Sequence, residues 1–197
     1  MSFDALFRFE QDLAEYTGAP YVVVTDGCTH AIELCLRYDQ VTRTAFTPFT
    51  YISIPMLMQH LGIDWHFHNE GHLEYNWQGE YHFEGTRIWD SARRLEPSMY
   101  KKGFMQCLSF GWTKPLQLGK VGAILLDDPV AYQQLSRLRS DGRDLHLPWA
   151  EDTNLILGYH YCPSLSLCEE GSRLLVNHVA QNQKVSYPDC RKIPFKI

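Results

Sequence analysis

The sequence has no apolar run long enough to cross a bilayer. It has no C-x-x-C pair, although six cysteines stand at 28, 35, 107, 162, 168 and 190. It has no excess of positive charge: 18 Lys and Arg against 23 Asp and Glu leave a net charge of −5. Its opening, MSFDALFRFEQDLAEY, is acidic and amphipathic, unlike the basic and then apolar order of a signal peptide. The first absence argues against a membrane partner. The second, in a chain of this size, reads the cysteines as reduced thiols and the protein as cytoplasmic. The third argues against a nucleic-acid groove as the main business of the molecule.

What is present is an ordinary globular composition, 197 residues with 45% hydrophobic and 21% charged. That length suits one domain, or one domain with a small appendage. Residues 3–17 carry Leu6, Phe7, Phe9, Leu13 and Tyr16 at roughly helical spacing, and Gly18 supplies a stop. PYVVVTDG then reads as a short buried strand. THAIELCLRY reads as a helix, TRTAFTPFTY as a strand, and ISIPMLMQHLG as a helix with Pro55 in its first turn. IDWHFHNE, TRIWD, FMQCLSF and VGAILLDD read as further strands. DPVAYQQLSRLRSDG is a helix with Asp127 or Asp128 as cap and Gly142 as stop. LHLPWAEDTNLILGYHYCPS reads as a loop, SLCEEGSRLLVNHVAQ as a helix with Gly171 inside it, and the basic end KVSYPDCRKIPFKI as a peripheral tail.

Alternating strands and helices predict an α/β fold with a mixed, mostly parallel sheet flanked by helices. Chemistry in such sheets collects at the carboxyl ends of strands. Four strand ends carry polar or aromatic residues. Gly27-Cys28-Thr29 opens a helix, where exposed N–H groups favour an anion. Tyr51 follows Pro48 as a stacking platform or a core aromatic. Ile88-Trp89-Asp90 ends an apolar strand in a carboxylate, which needs a partner: Arg93 or Arg94 in a structural ion pair, or a cationic ligand atom. Lys114 sits between Phe110-Gly111-Trp112 and Pro115, where desolvation lowers an amine's pKa and frees it for Schiff-base chemistry. An anion seat, an aromatic plate, a carboxylate and an amine together are what pyridoxal phosphate (PLP) requires. His66 and His68 alternate on one strand, with His72 and His82 nearby. They offer a metal reading that no cysteine or carboxylate pattern completes, so no metal is expected.

The chain resembles the DegT/DnrJ-type family of PLP-dependent sugar aminotransferases, a branch of the fold-type I aminotransferases. FEQDLAEYTGAPYVVVTDGCTHAIELCL is similar to the family's opening. TPFTYISIPMLMQHLGIDWHFHNE and IWDSAR resemble its P-x-x-T-[FWY]-x-[AS] and I-x-D-A-A-[HQ] segments. SFGWTKPLQLGKVGAILLDD resembles S-F-x-x-x-K-x-x-x-x-G-E-G-G and the strand after it. LSRLRSDGRD and LGYHYCPSLSLCEEG resemble the later L-R-x-H-G and G-Y-N-Y-R-M-S-x-x-Q-A-A segments. The matches run in order over roughly residues 8–175.

The resemblance implies Lys114 as the Schiff-base lysine and Asp90 as partner of the pyridinium nitrogen. It implies Gly27, Cys28, Thr29 and Ser109 as the phosphate seat and Tyr51 as the ring stack. His160 stands at a family Asn that reaches the partner subunit's phosphate, which implies a homodimer with a shared site. Arg93 replaces a His or Gln beside the cofactor's phenolic oxygen. Lys120 replaces the glutamate of G-E-G-G, Val121 one of its glycines, and Cys162 an arginine. Full-length members are about twice this size. Residues 1–175 are therefore expected to be the PLP-binding large domain and 176–197 a tail, with the family's small domain absent. The expected activity is amino transfer from an amino acid to a keto-sugar nucleotide. The alternative is a degenerate relic that binds PLP or acts through protein contacts.

Overall fold

A computed structural model describes residues 2–68, 78–180 and 187–194. Five strands form one sheet in the order β1-β7-β6-β5-β4: β1 (Tyr21–Thr25), β7 (Gly122–Leu126), β6 (Met105–Ser109), β5 (Ile88–Asp90) and β4 (Tyr81–His82). A parallel pair, β2 (Arg43–Phe46) and β3 (Asp64–Phe67), stands apart from it as a second ladder. One backbone bond, Glu84 N–H to Ala45 O at 2.9 Å, ties the chain after β4 to β2.

The sheet is mixed, as expected, with a smaller parallel share than the alternation of strands and helices suggests. Strand β5 pairs with β6 in parallel, whereas β4–β5, β6–β7 and β1–β7 are antiparallel. The reason is local. Residues 110–121 join β6 to β7 as a tight loop without a helix, so β7 must return antiparallel. β1, β5 and β6 run one way, so Thr25, Asp90 and Ser109 end at one edge of the sheet. Gly122 begins β7 at that same edge, opposite both Thr25 and Ser109.

The near-continuous apolar strands are buried on both faces, which is why they read as runs rather than as alternation. Val23, Ile124 and Leu126 face a core shared with α2 (Cys28–Tyr38), α3 (Ser53–Leu61) and α4 (Pro129–Arg139). Val22, Val24, Ala123 and Leu125 face a second core against α1 (Asp4–Thr17) and α5 (Leu165–Leu175). Asp128 is the cap of α4, its Oδ1 accepting from Val130 N at 2.9 Å and Ala131 N at 3.1 Å. Gly171 sits inside α5 because a Cβ there would lie 2.5 Å from the ring of Phe9 on α1.

The tail departs from expectation. Tyr187 and Cys190 are buried, and the short helical turn Cys190–Lys192 is pinned by Cys190 N–H to Pro48 O at 2.9 Å. The Cys190 thiol also reaches Thr50 O, at 3.3 Å. A basic composition marks a segment as soluble, but it does not say where the segment's two apolar side chains come to rest.

Candidate active site

The sheet edge that collects three strand ends opens into a cavity of about 900 Å³. Eight of the nine residues singled out in the sequence line it: Gly27, Cys28, Thr29, Tyr51, Asp90, Arg93, Ser109 and Lys114. His160 does not. It is exposed, and its ring nitrogen bonds Asp141 at 3.0 Å.

Gly27 is the residue before the first turn of α2, in extended conformation, so the N–H groups of Cys28 and Thr29 open toward the cavity end of the helix. This seat depends on Gly122, where a Cβ would lie 2.4 Å from Cys28 N. The Thr29 hydroxyl pairs with Ser53 Oγ at 2.8 Å, which brings the start of α3 to the same place. Ser53 was not singled out in the sequence. A Ser at the head of a helix usually reads as a cap, and only the approach of α3 to α2 makes it a wall of the cavity.

Asp90 ends β5 and is 3% exposed. Its Oδ2 accepts from the Tyr81 hydroxyl at 2.8 Å and its Oδ1 from Ala92 N–H at 2.9 Å. Tyr81 in turn pairs with Thr50 Oγ1 at 2.6 Å. Burial pushes the Asp90 carboxyl up, opposed by the Tyr81 bond, the Ala92 amide and the charges of Lys114 and Arg93. Of the two arginines offered as structural partners, Arg94 turns away to Glu80 and Glu96. Tyr81 was missed in the sequence because its strand is two residues long, too short to show a period.

Lys114 stands on a turn closed by its own N–H to Gly111 O at 3.0 Å and by Leu118 N–H to Phe110 O at 2.8 Å. Gly119 holds φ at +91°, and the Trp112 ring covers the space its side chain would take. The Phe-Gly-Trp frame therefore holds the loop that aims the amine. Burial lowers the Lys114 pKa from its usual 10.5, against the raising charge of Asp90 and with the lowering charge of Arg93.

The amine is engaged. Lys114 Nζ donates to the Tyr187 hydroxyl. The Arg93 guanidinium lies over the same ring at 4.4 Å, and the Tyr51 ring centroid is 5.9 Å away. Burial and the Asp90 charge push the Tyr187 hydroxyl well up, so it is a neutral phenol. Lys120, at the rim, pairs with Asp26 at 3.6 Å, and Asp26 also holds His30, which stacks on Tyr161 at 3.7 Å. Cys162, partly buried, lies in the field of the buried Glu10–Arg139 pair, and burial raises its thiol pKa. The histidines of the metal reading are used elsewhere: His68 faces Glu84 at 3.4 Å and His82 bonds Thr86 O at 2.7 Å. His72 lies outside the described residues. Among the described residues no group of three or more His, Cys, Asp or Glu side chains could hold a metal ion, and no helix is long and apolar enough to cross a membrane.

No curated protein matches the chain in sequence. Residues 3–70 match the DegT/DnrJ/EryC1/StrS aminotransferase family. The match ends before Asp90 and Lys114, which enter by geometry. Solved structures share the fold at low identity. Helicobacter pylori PseC, an aminotransferase involved in the biosynthesis of pseudoaminic acid, aligns with TM-score 0.70 and 15% identity over 88% of this chain and 58% of its own. 3-Amino-5-hydroxybenzoic acid synthase aligns with TM-score 0.68 and 19% identity over 87% of this chain and 56% of its own. The PMP form of Streptococcus pneumoniae Spr1654 aligns with TM-score 0.67 and 16% identity over 88% of this chain and 59% of its own. The chain thus spans less than two thirds of the length of the solved proteins it matches. Residues 3–70 are thus similar to the DegT/DnrJ/EryC1/StrS aminotransferase family, and the described chain has the α/β fold of those solved structures.

Proposed function

We propose that the chain is the cofactor-holding part of a PLP-dependent sugar aminotransferase, with Lys114 as the lysine that carries the cofactor. The supporting observation is the convergence of Lys114 Nζ, the buried Asp90 carboxylate and the α2 N-terminus on one cavity. The residues fit the group. On the cavity wall, Arg93, Lys114 and Tyr51 already gather around a hydroxylated six-membered ring, that of Tyr187. A hydroxypyridine ring has the same size and the same hydrogen-bonding hydroxyl.

When bound, PLP would supply an aldehyde for amino groups and a ring that withdraws electrons from the carbon next to the transferred nitrogen. Asp90 would hold a protonated ring nitrogen, and Tyr81 and the Ala92 amide keep that carboxylate oriented. The N–H groups of Cys28 and Thr29, with the Thr29, Ser53 and Ser109 hydroxyls, would hold the phosphate. Lys114, held less basic than an exposed lysine by burial, would be the amine that holds the cofactor and would move the substrate's α-proton at Nζ. Tyr51 would cover the ring. Arg93 would place a cation near the phenolic oxygen and lower its basicity. His160, exposed on the chain, would reach a second copy in a homodimer. The amino donor is an amino acid such as glutamate and the acceptor a keto-sugar nucleotide.

A second reading has its own observation. Tyr187 lines the cavity and its hydroxyl engages the Lys114 amine, as a catalytically degenerate relic acting through protein contacts would allow. One experiment separates the two. Purified chain is titrated with PLP, reduced with borohydride and mapped by mass spectrometry, then assayed for release of 2-oxoglutarate from glutamate. Pyridoxyl attachment at Lys114 with 2-oxoglutarate release supports the enzyme. Attachment without release supports a relic that still binds PLP, and no cofactor uptake overturns the enzyme and leaves a relic acting through protein contacts.

A further inference from the structure

We propose that the segment 187–193 is a built-in partner of the site, whose Tyr187 must release the Lys114 amine before a ligand can bond to Lys114. The inference rests on the functional reading above only for the name of the ligand. The contact itself stands on the chain's own geometry.

Tyr187 takes the three things an incoming ring needs. Its hydroxyl accepts from Lys114 Nζ. Its face lies under the Arg93 guanidinium at 4.4 Å. Its edge stands by Tyr51, with centroids 5.9 Å apart. The ring is 8% exposed although it belongs to a segment outside the sheet and helices of the domain. It is also anchored from behind. Cys190, 2% exposed, bonds the Pro48 and Thr50 carbonyls, and Pro188 and Ile193 close the cavity wall. The anchor therefore lies on the loop 47–51 that carries Tyr51.

The segment 187–193 lies outside the two apolar clusters that fix the helices on the sheet. Segments outside the core open at free energies below that of global unfolding. The contact also positions the amine: Lys114 Nζ donates to the Tyr187 hydroxyl and lies 4.9 Å from the centre of its ring. Any ligand that binds at Lys114 then competes with an intramolecular group, and its apparent affinity falls by the fraction of chains in which the segment is open.

The test uses the full chain and two probes. The first is the rate at which trinitrobenzenesulfonate modifies Lys114, mapped by peptide mass spectrometry; it requires no cofactor. The second is PLP affinity by absorbance titration. Tyr187→Ala is expected to modify Lys114 at least tenfold faster than wild type and to bind PLP at least tenfold more tightly. Tyr187→Phe keeps the ring and loses only the hydroxyl, and is expected to give a smaller rise in modification rate. It guards against loss of packing, as does the unfolding midpoint of each variant. Hydrogen exchange is expected to lose protection at 187–193 when PLP saturates the protein. Unchanged Lys114 modification in Tyr187→Ala, or protection at 187–193 that persists with PLP bound, overturns the proposal. Faster modification with no PLP uptake by any variant upholds the contact and overturns the PLP reading instead.

Discussion

Tyr81 donates its hydroxyl to Asp90 Oδ2 at 2.8 Å inside the protein, and both side chains are under a tenth exposed. A carboxylate at that depth is costly unless bonded. Its bonds here are a phenol, an amide and the field of two cations, Lys114 and Arg93; Cys28 and Tyr187 face it as neutral groups. Burial outweighs them, so the folded pKa lies above 3.8. The sign of the linkage follows. With the folded pKa raised, Asp90's contribution to stability is full below the unfolded pKa and is lost as pH rises through the folded pKa. Asp90→Asn is therefore expected to raise the unfolding midpoint of the cofactor-free protein at pH 7 relative to wild type, with the difference shrinking toward pH 4. Cofactor uptake is expected to be lost in the same variant. Calorimetry at the two pH values, with a PLP titration, checks both halves.

Tyr81→Phe removes the bond that favours the Asp90 carboxylate. The Asp90 pKa rises further, and the low-pH limb of cofactor uptake is expected to move to higher pH. PLP affinity measured against pH reads the shift directly. A role confined to packing would leave that limb in place.

Gly122 carries no chemistry, yet it decides whether the α2 N-terminus can approach the sheet edge. In Gly122→Ala the new methyl would lie 2.4 Å from Cys28 N, a backbone atom that cannot swing aside. Overpacking of this kind costs about 1–3 kcal/mol. The expected outcome is a lower unfolding midpoint and at least a tenfold loss of PLP affinity. The comparison is Gly27→Ala, where a Cβ meets nothing within 4 Å.

Gly171→Ala sets two effects against each other. A helix-interior Gly to Ala change gains about 1 kcal/mol of helix propensity. The methyl meets the Phe9 ring at 2.5 Å, and overpacking costs about 1–3 kcal/mol. The clash is expected to win. Gly171→Ala combined with Phe9→Leu, which clears the ring, is expected to recover part of the loss in a denaturant titration.

Glu10 and Arg139 form a buried pair between α1 and the end of α4, and both also bond Val24, Glu10 to its N–H at 2.9 Å and Arg139 to its O at 2.8 Å. Glu10→Leu strands a charge on an arginine that is 2% exposed. The expected loss is about 3–5 kcal/mol. Glu10→Gln keeps an acceptor and is expected to lose less, by the same titration.

The sequence was informative where one residue type does one job. The strand end at Asp90 was legible because an apolar run stops abruptly at a carboxylate, whereas Ser109 came only from the family resemblance. A cap at Asp127 or Asp128 was legible because a short acceptor before a helix has one use, and the structure chose Asp128. The Gly27-Cys28-Thr29 turn and Lys114 were legible as candidates for the same reason, since glycine and a framed lysine are conspicuous beside a strand.

What composition and pattern could not carry were relations across the chain. Tyr81 meets Asp90 only because β4 returns antiparallel on β5, and Ser53 meets Thr29 only because α3 comes up against α2. The need for Gly122 is a property of a distance to Cys28, and the need for Gly171 a property of a distance to Phe9. Above all, the seat of Tyr187 beneath Arg93 is invisible in a basic tail, because local pattern reports which side chains seek burial but not which cavity receives them. The sequence by itself determined the α/β alternation and the set of chemical groups at the strand ends. The tertiary structure decided that they face one cavity, and that the chain's own Tyr187 lines it and holds Lys114.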